Sequence, residues 1–494
     1  MIRPRLARLL IAYGLGCMAA MSPGVAAPAT LATPAPAPAA AASAELFPAT
    51  AVGRLAADWF AAFNQGEAAM GRFMEAHVSI EGRRRRSIDE RLEIYRDMHA
   101  EHGSLTPIER TESNDAQVTL VARSQYGGRF SIGILAEPRP PVAFAGVRIM
   151  DLPDTEAGVR AGGAAPAGPR ETGPALPAMS EAEVVSALRT ALDSLVRADA
   201  FSGAVLLTRG DQVLLREGYG LAVRAARTPN RPDTRFNLGS INKIFTRTAI
   251  EQLAAAGKLA IGDTISRYLA DYPRDKGSRI TIAQLLEHRA GTGDIFNARF
   301  EAMDVSRLRT TGDWMELIRD QPLEFEPGAR QEYSNAGYVL LGAIIEQVSG
   351  LSYYDYVRQR IFEPAGMTST ASYARDAATP NRARPYSRRG GASDDWQDVT
   401  ESLPGRGSSA GGGYSTLDDM KRFGDALKSG RLGVPARPGN VGIAGGSPGV
   451  NAMFEMLGDY TVVVLANLDP PAAERVSRGL RGWLRRAGTG KPTP

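Results

Sequence analysis

The sequence predicts an α+β protein made of two folded bodies, and three observations carry that prediction. Two Ala/Pro/Gly-rich stretches partition its 494 residues, strand hairpins stand at both ends of the larger body, and helical periodicity fills the space between them. At 43% hydrophobic and 23% charged, the composition is globular, and the length suffices for more than one buried core. The larger body is expected to hold an antiparallel sheet flanked by helices, and the smaller one to be an α+β cone.

Taken in order, the chain opens with Arg3, Arg5 and Arg8, then an apolar run from Leu9 to about Met21, then Val25-Ala26-Ala27, the layout of a secretory signal peptide. Pro28 disfavours a cut after Ala27, so removal of residues 1–29 and a periplasmic or secreted protein are expected. Gly14, Gly16 and Pro23 interrupt the run, and no other stretch approaches the roughly 18 apolar residues of a membrane span. Cys17, the one cysteine, lies inside this segment, which leaves the mature chain no thiol, disulfide or Cys-based metal site. Leu15-Gly16-Cys17 faintly matches a lipid-attachment box, but Gly14 and the short apolar run argue against lipidation. Of the formal net charge of +4, the three leading arginines supply most, so nucleic acid is not implied as a partner.

Residues 30–45 are almost wholly Ala, Pro and Thr and read as a tether. Residues 46–150 form the smaller body. Leu55, Trp59, Phe60 and Phe63, then Met70, Phe73 and Met74, then Leu92, Tyr95 and Met98 recur at helical spacing. Strand patterns follow at residues 117–124, 129–137 and 142–149. The run Arg83-Arg84-Arg85-Arg86 sits beside acidic residues and reads as a solvated loop; His99 and His102, one turn apart, read as a solvated helix end lacking a third metal ligand. This order of helices then strands resembles the SnoaL or nuclear-transport-factor-two-like domains, many of which bind ligands or pair.

A Pro/Gly/Ala-rich linker covers residues 151–179, and residues 180–487 form the larger body. It starts with a helix near residues 182–195 and a hairpin, residues 203–208 and 212–219, turned at Gly210. It ends with strands at residues 451–457 and 460–467 and a helix at residues 472–486. A sheet assembled from both ends of the body follows, unlike the alternating order of a doubly wound fold.

The chemistry gathers at Phe236-Asn237-Leu238-Gly239-Ser240-Ile241-Asn242-Lys243, which leads into an amphipathic helix. At i, i+3 the Lys243 amine can reach the Ser240 oxygen. Thirty serines and six lysines in 494 residues give about 0.4 such pairs by chance, so the spacing alone is weak. The choice of base adds weight: only six of the 58 basic residues are lysine, and arginine cannot accept a proton at ordinary pH. Further on, Tyr333-Ser334-Asn335 precedes an apolar helix, and in an extended loop Tyr333 and Asn335 point the same way.

Ser-x-x-Lys at a helix start, with Tyr-x-Asn about ninety residues later, resembles the serine β-lactamase and penicillin-binding-protein-like hydrolases: class C β-lactamases, D-Ala-D-Ala carboxypeptidases and esterases. Phe201-Ser202-Gly203-Ala204-Val205, Leu285-Leu286-Glu287-His288, Ile361-Phe362-Glu363-Pro364-Ala365-Gly366-Met367, Gly412-Gly413-Tyr414-Ser415-Thr416 and Gly445-Gly446-Ser447-Pro448-Gly449 support the likeness. It implies a β-lactamase/transpeptidase-like fold, acylation of Ser240, proton transfer by Lys243 and Tyr333, substrate orientation by Asn335, and an oxyanion hole from the Ser240 and Gly446 amides. The family's third motif, a strand bearing Lys or His, reads Ile443-Ala444-Gly445-Gly446 here, and the stretch from Tyr414 to Gly442 is short for the family. A small ester or amide is the expected substrate, with peptidoglycan-derived peptides among the candidates, and the chemistry calls for no cofactor.

Two rivals stand against this reading. Gly407-Ser408-Ser409-Ala410-Gly411 spells G-x-S-x-G, but no histidine follows it and no strand precedes it. His288, the one histidine of this body, ends a helix with a capping box from Thr281 to Gln284 and reads as structural. The other rival is a catalytically weakened relative serving as a ligand-binding or sensor module, motivated by Ile443.

Overall fold

The computed structural model describes residues 46–85, 87–125, 129–137, 142–152, 178–388, 395–436 and 441–488. The expected signal peptide, the tether and most of the linker lie outside the described residues. Those residues fall into two compact units, one spanning residues 185–477, the other residues 46–184 with 478–488.

The smaller unit begins with α1 (Ala51–Gln65), whose N-cap Thr50 accepts a hydrogen bond from Gly53 N at 3.0 Å. Val52, Leu55, Trp59, Phe60 and Phe63 occupy its buried face. α2 (Glu67–His77) follows, then α3 (Ile88–His102), started by a Ser87/Glu90 capping box. Strands β1 (Leu105–Ser113), β2 (Gln117–Ser124), β3 (Arg129–Ala136) and β4 (Phe144–Leu152) form an antiparallel meander in sequence order.

Three details depart from the expectations. β1 carries no strand signal because it is an edge strand: only Leu105 is buried, and Pro107 is tolerated where no second neighbour needs its N–H. The arginine run is helical over Ile80–Arg85, where the Ser79 hydroxyl accepts from Gly82 N at 2.9 Å and caps the turn. The end of α3 is not solvated. His102 is buried against Phe130, ring centroids 4.4 Å apart, and burial pushes the His99 imidazole below its ordinary pKa. Among the described residues no His/Cys/Asp/Glu cluster is suited to hold a metal, and no helix is long and apolar enough to cross a membrane.

The larger unit takes in most of α4 (Glu181–Arg197), then the hairpin β5 (Gly203–Arg209) and β6 (Gln212–Tyr219), turned at Gly210 with φ +55°. Helical segments fill the middle, among them α5 (Lys243–Ala255), α6 (Asn335–Ser349) and α7 (Leu417–Lys428). The chain returns to the sheet as β7 (Val441–Ser447), β8 (Val450–Leu457) and β9 (Tyr460–Ala466), then enters α8 (Ala472–Gly488). Strand order is β7-β8-β9-β5-β6, antiparallel throughout, with Val464 opposite Val205 where the first and last strands of the larger unit meet. Every residue of β9 from Thr461 to Ala466 is buried, as a central strand requires.

Candidate active site

Ser240 lies in a 3-10 turn, Gly239–Asn242, immediately before α5. Gly239 holds φ +51°, and its N–H donates to Asn237 Oδ1 at 2.9 Å. β7 runs against this turn so closely that a Cβ on Gly445 would meet the Leu238 carbonyl and come 2.8 Å from Ser240 N. A Cβ on Gly239 would come 2.9 Å from Gly446 N. The glycines are what let strand and turn touch, and the seam holds both backbone amides singled out from the sequence.

One turn along, Lys243 is 4% exposed and points inward. Its Nζ lies 3.2 Å from Ser240 Oγ, 2.7 Å from Asn335 Oδ1 and 2.6 Å from the Ala410 carbonyl. Tyr333 completes the set: its hydroxyl donates to Ser240 Oγ at 2.7 Å, and its ring stands 4.8 Å from the lysine nitrogen. Ser334, at φ −136° and ψ 121°, is the extended residue that turns Tyr333 and Asn335 to the same side. The Ser334 hydroxyl faces the other way, donating to the Gly293 carbonyl and accepting from Gly337 N at 3.0 Å as the N-cap of α6.

Burial sets the charge states. It pulls the Lys243 amine down to about 7, with the Asp294 carboxylate pulling the opposite way. It pushes the Tyr333 hydroxyl up to about 12, so this is a neutral phenol at physiological pH. His288 is brought down to about 3, chiefly by burial, and is uncharged; its Nδ1 accepts from Ser334 N at 3.2 Å. Its ring lies 4.6 Å from that of Tyr333 and 5.1 Å from that of Tyr338, a neutral wall behind the phenol.

The segment spelling G-x-S-x-G lines the other side of α5. Its carbonyls are taken in succession by one helix face: Ser408 O by Asn242 Nδ2 at 2.7 Å, Ser409 O by Thr246 Oγ1 at 2.7 Å, and Ala410 O by Lys243. Ser408 and Ser409 are both buried, as a supporting wall requires and an exposed nucleophile elbow does not. Sequence reasoning missed this wall, because a backbone carbonyl has no residue signature. It also missed Asp294, whose carboxylate accepts from Asn335 Nδ2 at 2.9 Å; the adjacent Gly291 and Gly293, both at positive φ, were the available hint of a constrained loop.

Ser240, Lys243, Tyr333 and Asn335 thus converge, and Gly446 lies along the same seam. Ile443 stands apart: it is half-buried and packs on the hydrophobic core.

The sheet closed from both ends, with a serine between a buried lysine and a tyrosine, defines the class of serine hydrolases with the β-lactamase fold. Residues 188–438 match the family profile described as Beta-lactamase, half of the sequence, and the chain belongs to that family. Penicillin-binding protein 4* of Bacillus subtilis (strain 168) is 34% identical over 201 residues, covering 40% of this chain and 44% of that protein. The putative penicillin-binding protein PbpX of the same organism is 30% identical over 292 residues, 54% of this chain and 71% of that protein. The chain therefore spans less than half the length of the first relative and about seven-tenths of the second. The crystal structure of a penicillin binding protein from Bacillus halodurans superposes with a TM-score of 0.53 at 30% identity, over 58% of this chain and 97% of that one.

Proposed function

We propose that the protein is an exported hydrolase that cleaves a small ester or amide through an acyl-enzyme on Ser240. The carrying observation is the position of Ser240 Oγ, between a donor at 2.7 Å and a buried amine at 3.2 Å. Neutral Lys243 takes the serine proton as Oγ bonds to the substrate carbonyl carbon. The resulting oxyanion is met by the Ser240 and Gly446 amides, a class of contact worth about 10²–10³ in rate. Tyr333 gives its proton to the departing alcohol or amine and regains one from the Lys243 ammonium. Water then attacks the acyl carbonyl and the same groups return the proton to Ser240. Asn335 orients the lysine: with Nδ2 on Asp294 and Oδ1 on Lys243, its carboxamide is engaged within the protein and not offered to a substrate, contrary to the expectation from the family likeness. Export rests on the arginines and apolar run at the start of the sequence, and a role for residues 46–150 in binding a ligand or pairing chains rests on their cone-like order of elements.

Ile443 favours a second reading, a ligand-binding or sensor module with weakened chemistry. A fluorophosphonate probe on the mature protein, with Ser240→Ala and Lys243→Ala as controls, separates the two. Ser240-dependent labelling supports the hydrolase, and its absence supports the sensor. Short acyl esters, nitrocefin and D-Ala-D-Ala peptides then identify the acyl donor. An apolar side chain at residue 443 offers no cation to a substrate carboxylate, so uncharged acyl esters are expected to react ahead of nitrocefin.

A further inference from the structure

Asp294 precedes Asn335 by 41 positions, and its carboxylate receives the donors that Asn335 offers: Nδ2 at 2.9 and 3.1 Å and the backbone N at 3.3 Å. Oδ1 also accepts from Phe296 N at 3.2 Å, which fixes the carboxylate to its own loop. An ionised carboxylate only accepts hydrogen bonds. The Asn335 carboxamide therefore has one orientation, nitrogen toward Asp294 and oxygen toward Lys243 at 2.7 Å. The Ala410 carbonyl, at 2.6 Å, is likewise an acceptor alone. A neutral amine has two N–H bonds and one lone pair. With both hydrogens taken by these oxygens, the lone pair is left facing the third neighbour, Ser240 Oγ.

We propose that Asp294 is a positioning residue, which locks the Asn335 carboxamide and thereby aims the Lys243 lone pair at the Ser240 hydroxyl. The inference rests on the reading of Lys243 as the base. The other titratable groups around the amine are His288 from the turn after Ile282–Leu286, Tyr333 before α6, Tyr338 within α6, and Arg247 one turn along α5. The histidine is neutral and both tyrosines are held as phenols, which leaves Asp294 as the charge that favours the ammonium form.

Carbon-13 NMR of lysine-labelled mature protein tests this, because the chain has only six lysines and Lys243→Arg identifies the signal. Asp294→Asn is expected to move the Lys243 titration to lower pH and to slow Ser240 labelling about tenfold or more, since a misdirected base forfeits part of its proton-transfer advantage. Asp294→Glu is expected to keep the wild-type midpoint. An unmoved midpoint in Asp294→Asn overturns the proposal, as does a Glu variant displaced as far as the Asn variant. If wild-type Ser240 is not labelled while the lysine still responds to Asp294, the acyl-enzyme reading fails and the hold of Asp294 on Lys243 stands.

Discussion

Lys243 is a lysine whose burial costs it a proton near neutrality, and that gives the residue scale its clearest test. The rate of Ser240 labelling is expected to rise with pH through an inflection near 7, as the amine loses its proton. Lys243→Arg should abolish both the rate and the inflection. Stability carries the same signature: between about 7 folded and 10.5 unfolded, the unfolded chain holds the extra proton, so stability rises with pH across that window. Calorimetry of wild type against Lys243→Met checks it, since the variant should lose that slope. Tyr333→Phe should lower the labelling rate about 10²-fold with the inflection still near 7, because the phenol does not titrate in this range; a variant as fast as wild type would remove Tyr333 from the proton path. The two local pairs, Ser240 with Lys243 and Tyr333 with Asn335, were legible as spacings, and the likeness to the family joined them across 93 residues. Asp294 was not, because it belongs to neither motif and no periodicity connects a loop carboxylate to a carboxamide 41 residues away.

At the scale of elements, the seam between β7 and the serine turn depends on the absence of side chains. Gly445→Ala would drive a methyl into the Leu238 carbonyl, a strain expected to cost about 1–3 kcal/mol. It should lower the melting temperature and suppress labelling together, read by calorimetry and the phosphonate probe. Asn451 secures the same strand from behind: its Nδ2 donates to the Gly445 carbonyl at 3.2 Å, and its Oδ1 accepts from Ala473 N at 2.6 Å. The β5–β6 and β8–β9 hairpins were legible because β5, β8 and β9 are largely runs of apolar side chains and the turns fall at Gly210 and Gly458. β1 was not, because its polar residues suit an edge strand and a loop equally well.

At the scale of the molecule, each unit carries its own hydrophobic core, one built on Trp59, Phe63 and Phe130, the other on Phe236, Phe245 and Phe423. A fragment of residues 46–152 is therefore expected to fold alone and unfold in one cooperative transition by circular dichroism; a fragment without that transition would show that the smaller core is incomplete. The compact units differ from the expected bounds: residues 478–488 of α8 group with the smaller unit, where the sequence pattern assigned them to the larger body. In the larger unit, β5 pairs with β9 and the Ser240 turn abuts β7, so the reactive serine acquires its surroundings from strands far along the chain. Contacts of such long range form late. A chain in which β7 has not docked holds Ser240 and Lys243 on a turn and helix with no strand against them, so assembly of the reactive site is coupled to closure of the sheet.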